Sequence, residues 1–229
     1  MTTTDRHPQP LRSVNRPKQA RSEQTLRRLL DAAEGLIEEK GLAAVSIPEI
    51  VQRAGSSVGG FYARFRDKNE LLRALEERFL RELDERVEDI ARPGRWTGVP
   101  IGEVVHALVG ELIRTVRERE PLIRMFFFRA AADTESFEDG LRFRRGVSAR
   151  ACDLLADRPE IRHPEPAVAI DLGVQMAFGL MHQTIVFGEL RAGERRLSDA
   201  DVVQEITRNL LAYLGVDPGY GPGPNSNAP

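Results

Sequence analysis

The stretch Ser46–Phe65, SIPEIVQRAGSSVGGFYARF, constrains the fold of this chain more than any other. Ile47, Ile50, Val51 and Ala54 recur at helical spacing, and so do Val58, Phe61, Tyr62 and Phe65. Two short amphipathic helices follow, each with one apolar face. Only Gly55-Ser56-Ser57 lies between them. A glycine that accepts positive φ closes the first helix and a serine caps the second, so so short a link holds the pair at one angle. This is the helix-turn-helix pattern.

The commonest use of such a pair is an ordinary αα-hairpin in a helical core. The second helix also has the size and division of faces that suit the DNA major groove, which admits one α-helix. Phe61 and Phe65 are expected to pack inward. Ser56, Ser57, Val58, Gly60 and Tyr62 are expected outward, at base edges or the adjacent backbone. Lys68 opens a further helical run, and its ammonium beside the amides of a helix start predicts a phosphate seat. Ser46 and Arg64 are the other phosphate candidates.

The run from Gly41 to Leu72, GLAAVSIPEIVQRAGSSVGGFYARFRDKNELL, resembles the DNA-binding signature of the TetR family of bacterial transcriptional regulators. The resemblance covers about residues 21 to 72 and is carried by Gly41, Ser46, Ile50, Ala54-Gly55, Ser57, Gly59, Phe61-Tyr62, Phe65, Lys68 and Leu71-Leu72. Three positions depart from it. Pro48 is harmless in a first helical turn, where its missing donor has no partner. Arg64 stands where the family often has histidine or another aromatic, and Gly60 lacks a side chain at a position that commonly faces bases. The resemblance implies an all-α protein: an N-terminal three-helix DNA-binding domain, then a larger helical ligand-binding and dimerisation domain, about nine helices in total.

With 229 residues, 41% of them hydrophobic, the chain can bury a large core. Its net charge of −2 is unevenly distributed. Residues 1–68 hold twelve Lys and Arg against eight Asp and Glu, which places the basic excess on the segment with the paired helices. Residues 1–20 read as a disordered basic arm, with Lys18 and Arg21 its best DNA-contact candidates, and 215–229 as a disordered Gly- and Pro-rich tail. Domain limits are expected at 21–68 and 69–214. The single Cys152 excludes an intrachain disulfide and suits a reducing compartment. No apolar run reaches membrane-span length and no secretion signal opens the chain, so a cytoplasmic protein without a membrane partner is expected.

From Ile101 onward every segment reads as helix, and no strand pattern is evident. The eighth helix, about 165–190, is apolar nearly all round. Val168, Leu172, Met176, Gly179, Gln183 and Phe187 form one seam, and Val203, Ile206, Leu210 and Tyr213 of the ninth are expected to join it in a four-helix homodimer interface. His106, Met125, Phe126, Phe128, Arg129, Gln175, Phe178, Met181 and His182 are candidates to line a small-molecule pocket. Enzymatic readings are weaker. Glu103 and His106 have Glu-x-x-His spacing, but the second match, Glu160–His163, lies between prolines, and no zinc-protease, phosphate-loop or nucleophile-elbow motif occurs. No metal or cofactor is expected. The sequence therefore predicts a dimeric DNA-binding regulator of a palindromic operator, a repressor released by a small hydrophobic or amphipathic effector. The alternative is a helical ligand-binding protein with weak or lost DNA binding.

Overall fold

In a computed structural model, residues 20–217 are described, apart from the side chains of Ala20, Arg21 and Pro93. Lys18 thus lies outside the described residues, and Arg21 is placed by its backbone alone. The described chain is almost entirely helical, as expected, and divides into two compact units between Glu82 and Leu83.

The first unit contains α1 (Ala20–Lys40), α2 (Ile47–Arg53), α3 (Val58–Tyr62) and most of α4 (Lys68–Ile90), with a 3-10 turn at Leu42–Ala44. Gly41, at φ 77°, ends α1, because that backbone conformation costs a glycine little. Pro48 sits in the first turn of α2, and Gly55 at φ 56° turns the chain toward α3. Leu29, Ile37, Ile50, Phe61, Phe65, Leu71 and Leu75 are fully buried, each side chain worth about 1.5–3 kcal/mol of transfer free energy. The Phe61 and Phe65 rings meet with centroids 5.4 Å apart. The expected boundary at 68/69 coincides with the start of α4. The division of the fold comes later because Leu71, Leu72, Leu75 and Phe79 are buried and Arg78 pairs with Asp31 at 2.5 Å and with Glu34, tying α4 to α1.

The second unit comprises the end of α4, then α5 (Ile101–Glu118), α6 (Glu120–Ala130), α7 (Thr134–Leu155), α8 (Pro166–Phe187) and α9 (Asp199–Tyr213). Helix α9 packs along α5, α7 lies along α8, and α6 contacts both α7 and α8. Its core is built from Ile101, Val104, Val105, Val109, Ile113, Ile170, Met181, Ile185, Val202, Val203 and Ile206. At Gly173 α8 approaches α9 closely: an added Cβ would lie 2.6 Å from Leu210 Cδ2, so that side chain would have to shift. After α4, Trp96 Nε1 donates to the Ile90 carbonyl at 2.6 Å. Arg158 donates to Val99 O at 2.8 Å and to Trp96 O at 3.1 Å, fixing the linker on this unit.

Two expectations change. Between α8 and α9 the chain forms a small antiparallel hairpin, β1 (Arg191–Ala192) with β2 (Arg195–Arg196). Strands of two residues carry no alternation to read, and only Gly193, at φ 63°, marks the turn. On α9, Val203 and Ile206 are buried in the core of their own chain, which argues against a place in a dimer seam, and Leu210 is half-buried against Gly173. Tyr213 alone of that set is exposed; its ring stands 5.2 Å from that of His163. No helix among the described residues is long and apolar enough to cross a membrane.

Candidate nucleic-acid interface

The first turn of α2 is organised by Glu49. Its carboxylate accepts from the Ser46 N–H at 3.0 Å and the Ser46 hydroxyl at 2.7 Å, and it also pairs with the Lys40 ammonium. These bonds, with Lys40 the largest contributor, hold its carboxyl down at about 2. At the other end, Arg53 donates to both oxygens of Glu39 at 2.6 Å, fastening α2 to the end of α1. The Ser-x-x-Glu spacing of a capping box is a sequence signal that points to Glu49; nothing in spacing alone pairs Arg53 with Glu39.

Helix α3 is presented by its cap and its back. The Ser57 hydroxyl accepts from the Gly60 N–H at 3.0 Å, satisfying one amide of the first turn. Behind it, buried Phe61 packs edge-on against Tyr62 at 5.3 Å. Val58 and Tyr62 are 50% and 54% exposed, so both side chains face outward from the head. Gly60 has a packing reason: a Cβ there would stand 2.8 Å from Ser56 Oγ and 3.2 Å from Ser57 Oγ.

The residues expected at phosphate are engaged within the head itself. The donors of Ser46 go to Glu49. Arg64 turns inward, donating to the Gly60 carbonyl at 2.8 Å and to the Ser22 hydroxyl at 3.1 Å, so it braces α3 on α1. The Lys68 ammonium donates to Leu42 O at 3.1 Å and to Val45 O, and burial lowers its pKa. Lys68 is therefore a clip between α4 and the 3-10 turn. Its chemistry as a cation is directed at carbonyl oxygens.

In the second unit the pocket candidates do not converge. Met125, Phe126 and Met181 are buried core residues, whereas His106, Phe128 and His182 are exposed. His182 lies against Phe127 at 4.9 Å, Phe178 faces Phe143 at 6.3 Å, and Gln175 donates to Asp171 at 2.9 Å. Arg129 is mostly buried and 3.6 Å from Asp133. Four consecutive large residues at 125–128 point round the helix, so α6 cannot aim them all at one cavity. A groove of about 460 Å³ lies elsewhere, lined by Arg117, Glu189, Leu190, Arg196, Leu197, Ser198 and Asp199, and it is crossed by the Arg117–Asp199 pair at 2.8 Å.

The seam of α8 is different. Val168, Leu172, Met176, Gly179, Gln183 and Phe187 are all exposed, Phe187 at 73%. Their shared spacing puts them on one face, and the described residues leave that face uncovered.

A short helix pair with a capped, outward second helix on a rigid three-helix core defines a helix-turn-helix protein. Residues 29–75 match the sequence profile of the bacterial regulatory proteins of the tetR family. Over 53 residues the chain is 45% identical to the uncharacterized HTH-type transcriptional regulator YvdT of Bacillus subtilis (strain 168), a match covering 23% of this chain and 27% of that relative. Solved structures extend the likeness. A transcriptional regulator of the TetR/AcrR family from Thermobifida fusca YX-ER1 is 28% identical, with 81% of this chain and 96% of that one covered and a TM-score of 0.61. SmeT, the repressor of the Stenotrophomonas maltophilia multidrug efflux pump SmeDEF, shares the fold at 24% identity, with 90% and 98% coverage and a TM-score of 0.54. Residues 29–75 thus carry the DNA-binding signature of the tetR family, and the chain as a whole is similar in fold to solved regulators of the TetR/AcrR family.

Proposed function

We propose that this protein is a homodimeric, sequence-specific regulator of transcription, a repressor whose grip on a palindromic operator is released by a small hydrophobic or amphipathic effector. The observation that carries the reading is α3: a capped helix with Val58 and Tyr62 held outward over a buried Phe61 and Phe65. A major groove accepts such a helix, and two copies are needed for two half-sites about 34–36 Å apart. The exposed apolar seam of α8 is the surface that brings two copies together, and Ser57, Val58, Gly60 and Tyr62 are the residues assigned to DNA. SmeT, similar in fold, is a repressor, which supports the same sign of regulation here.

Release follows from linkage. An effector that prefers a dimer state with wrongly spaced heads lowers DNA affinity, and DNA lowers effector affinity by the same factor. The reading places the protein in the cytoplasm. Selection of bound fragments from the source genome with purified protein tests it: recovery of one palindromic sequence upstream of a gene supports it, and recovery of fragments without a shared sequence contradicts it. Gly60, read as a lost base contact, favours the alternative without DNA binding, but the close approach of Ser56 and Ser57 supplies another reason for that glycine.

A further inference from the structure

The DNA-binding reading above leaves open what α3 recognises, and the side chains it presents narrow that sharply. Gly59 and Gly60 present none. The Ser57 hydroxyl is turned back to its own helix at 3.0 Å, and Arg64, one turn past Gly60, is committed to the Gly60 carbonyl and to Ser22. Val58 and Tyr62 remain to meet base edges, one turn apart on one face and each about half exposed, with Ser57 and Gly60 left to the adjacent DNA backbone.

Base pairs are usually distinguished in the major groove by bidentate hydrogen bonds from Arg, Lys, Asn or Gln. Helix α3, Val58–Tyr62, contains none of these four residues. An isopropyl group complements one base-edge feature in that groove, the C5-methyl of thymine. Position 59 helps it reach there. A Cβ at Gly59 would find only Ser57 Oγ, at 4.0 Å, so the fold does not demand glycine at 59, yet its absence of side chain leaves the backbone beside Val58 bare and able to approach base edges.

We infer that Val58 packs on a thymine C5-methyl in each half-site, making it a specificity-determining residue that reads shape and apolar surface. The step deepens the DNA-binding reading and depends on it. Val58 is exposed, so its replacement leaves the head folded, and melting curves of each variant provide the check.

The experiment selects a binding site with full-length protein from random duplexes, then replaces each thymine of one half-site in turn by deoxyuridine. Deoxyuridine keeps every polar atom and lacks only the methyl. For the wild type, Kd rises about fourfold at one thymine, the worth of one buried methyl-sized group. In Val58→Ala the same replacement leaves Kd unchanged, and in Val58→Thr, which retains one methyl, part of the penalty persists. A selected half-site in which every thymine tolerates uracil, a half-site without thymine, or an undiminished uracil penalty in Val58→Ala overturns the inference while leaving the DNA-binding reading intact. Failure to select any sequence, with no salt-dependent retention of DNA, overturns both.

Discussion

The Lys68 ammonium donates to the carbonyl oxygen of Leu42 at 3.1 Å, joining the first turn of α4 to the segment that delivers the chain into α2. A second bond, to Val45 O, makes the contact a clip that spans more than twenty residues of sequence. A cation expected at phosphate is thereby spent on orienting the helix pair. Lys68→Met removes both bonds, and the expected result is a lower unfolding midpoint with weaker DNA binding, but an unchanged slope of log Kd against log salt concentration. A slope smaller by about one with an unchanged midpoint places the ammonium on a phosphate instead.

Acid should weaken the head through Glu49. Its folded-state value of about 2, against an ordinary 4.5, means the unfolded chain binds the proton more readily. The stabilisation is complete above the ordinary value and is lost as pH falls through that window toward 2. Thermal unfolding followed by circular dichroism should show a steeper decline from about pH 5 to about pH 3 for the wild type than for Glu49→Gln. Parallel curves contradict the assignment.

Gly60 and Ser56 should be energetically coupled. Gly60→Ala brings a Cβ to 2.8 Å from Ser56 Oγ and crowds the Ser57 cap, whose loss typically costs about 1 kcal/mol. Ser56→Ala removes the nearer atom, so the double variant should recover part of the loss. A double-mutant cycle measured by chemical denaturation reads this directly, and additivity contradicts it.

The exposed seam of α8 and the buried face of α9 should respond differently to charge. Leu172→Arg or Met176→Asp is expected to give a folded monomer by sedimentation, because both residues are exposed. Ile206→Asp is expected to abolish folding, because that side chain is buried and an unpaired charge there has no partner. A Leu172→Arg protein that remains dimeric places the interface elsewhere.

The sequence announces the head because its signals are local. Gly41, Gly55 and Ser57 punctuate, the 3.6-residue period marks the buried face, and Ser57 caps α3 as its type and position require. The α8 seam is legible for the same reason: one helix, one period, one exposed face. What the sequence hides is partner choice across distance. Arg64 to Ser22, Lys68 to Leu42 and Arg53 to Glu39 are contacts between residues whose separation carries no periodic signal, and each converts a charge that reads as outward into a brace. Val203 and Ile206 are ambiguous in sequence because a buried face and a dimer face have the same apolar spacing, and only the packing of α9 along α5 shows them in the core. The scattered pocket candidates share that ambiguity, since α6 is apolar round most of its circumference.

The most direct test of the whole account counts chains on DNA. Full-length protein titrated onto a selected palindromic duplex, with mass read by sedimentation and affinity read across a salt series, should give two chains per site and an affinity that falls steeply with salt, with Tyr62→Ala losing specific binding far more than non-specific binding. One chain per duplex, or specific and non-specific binding that weaken equally in Tyr62→Ala, contradicts the claim that paired α3 helices read the site.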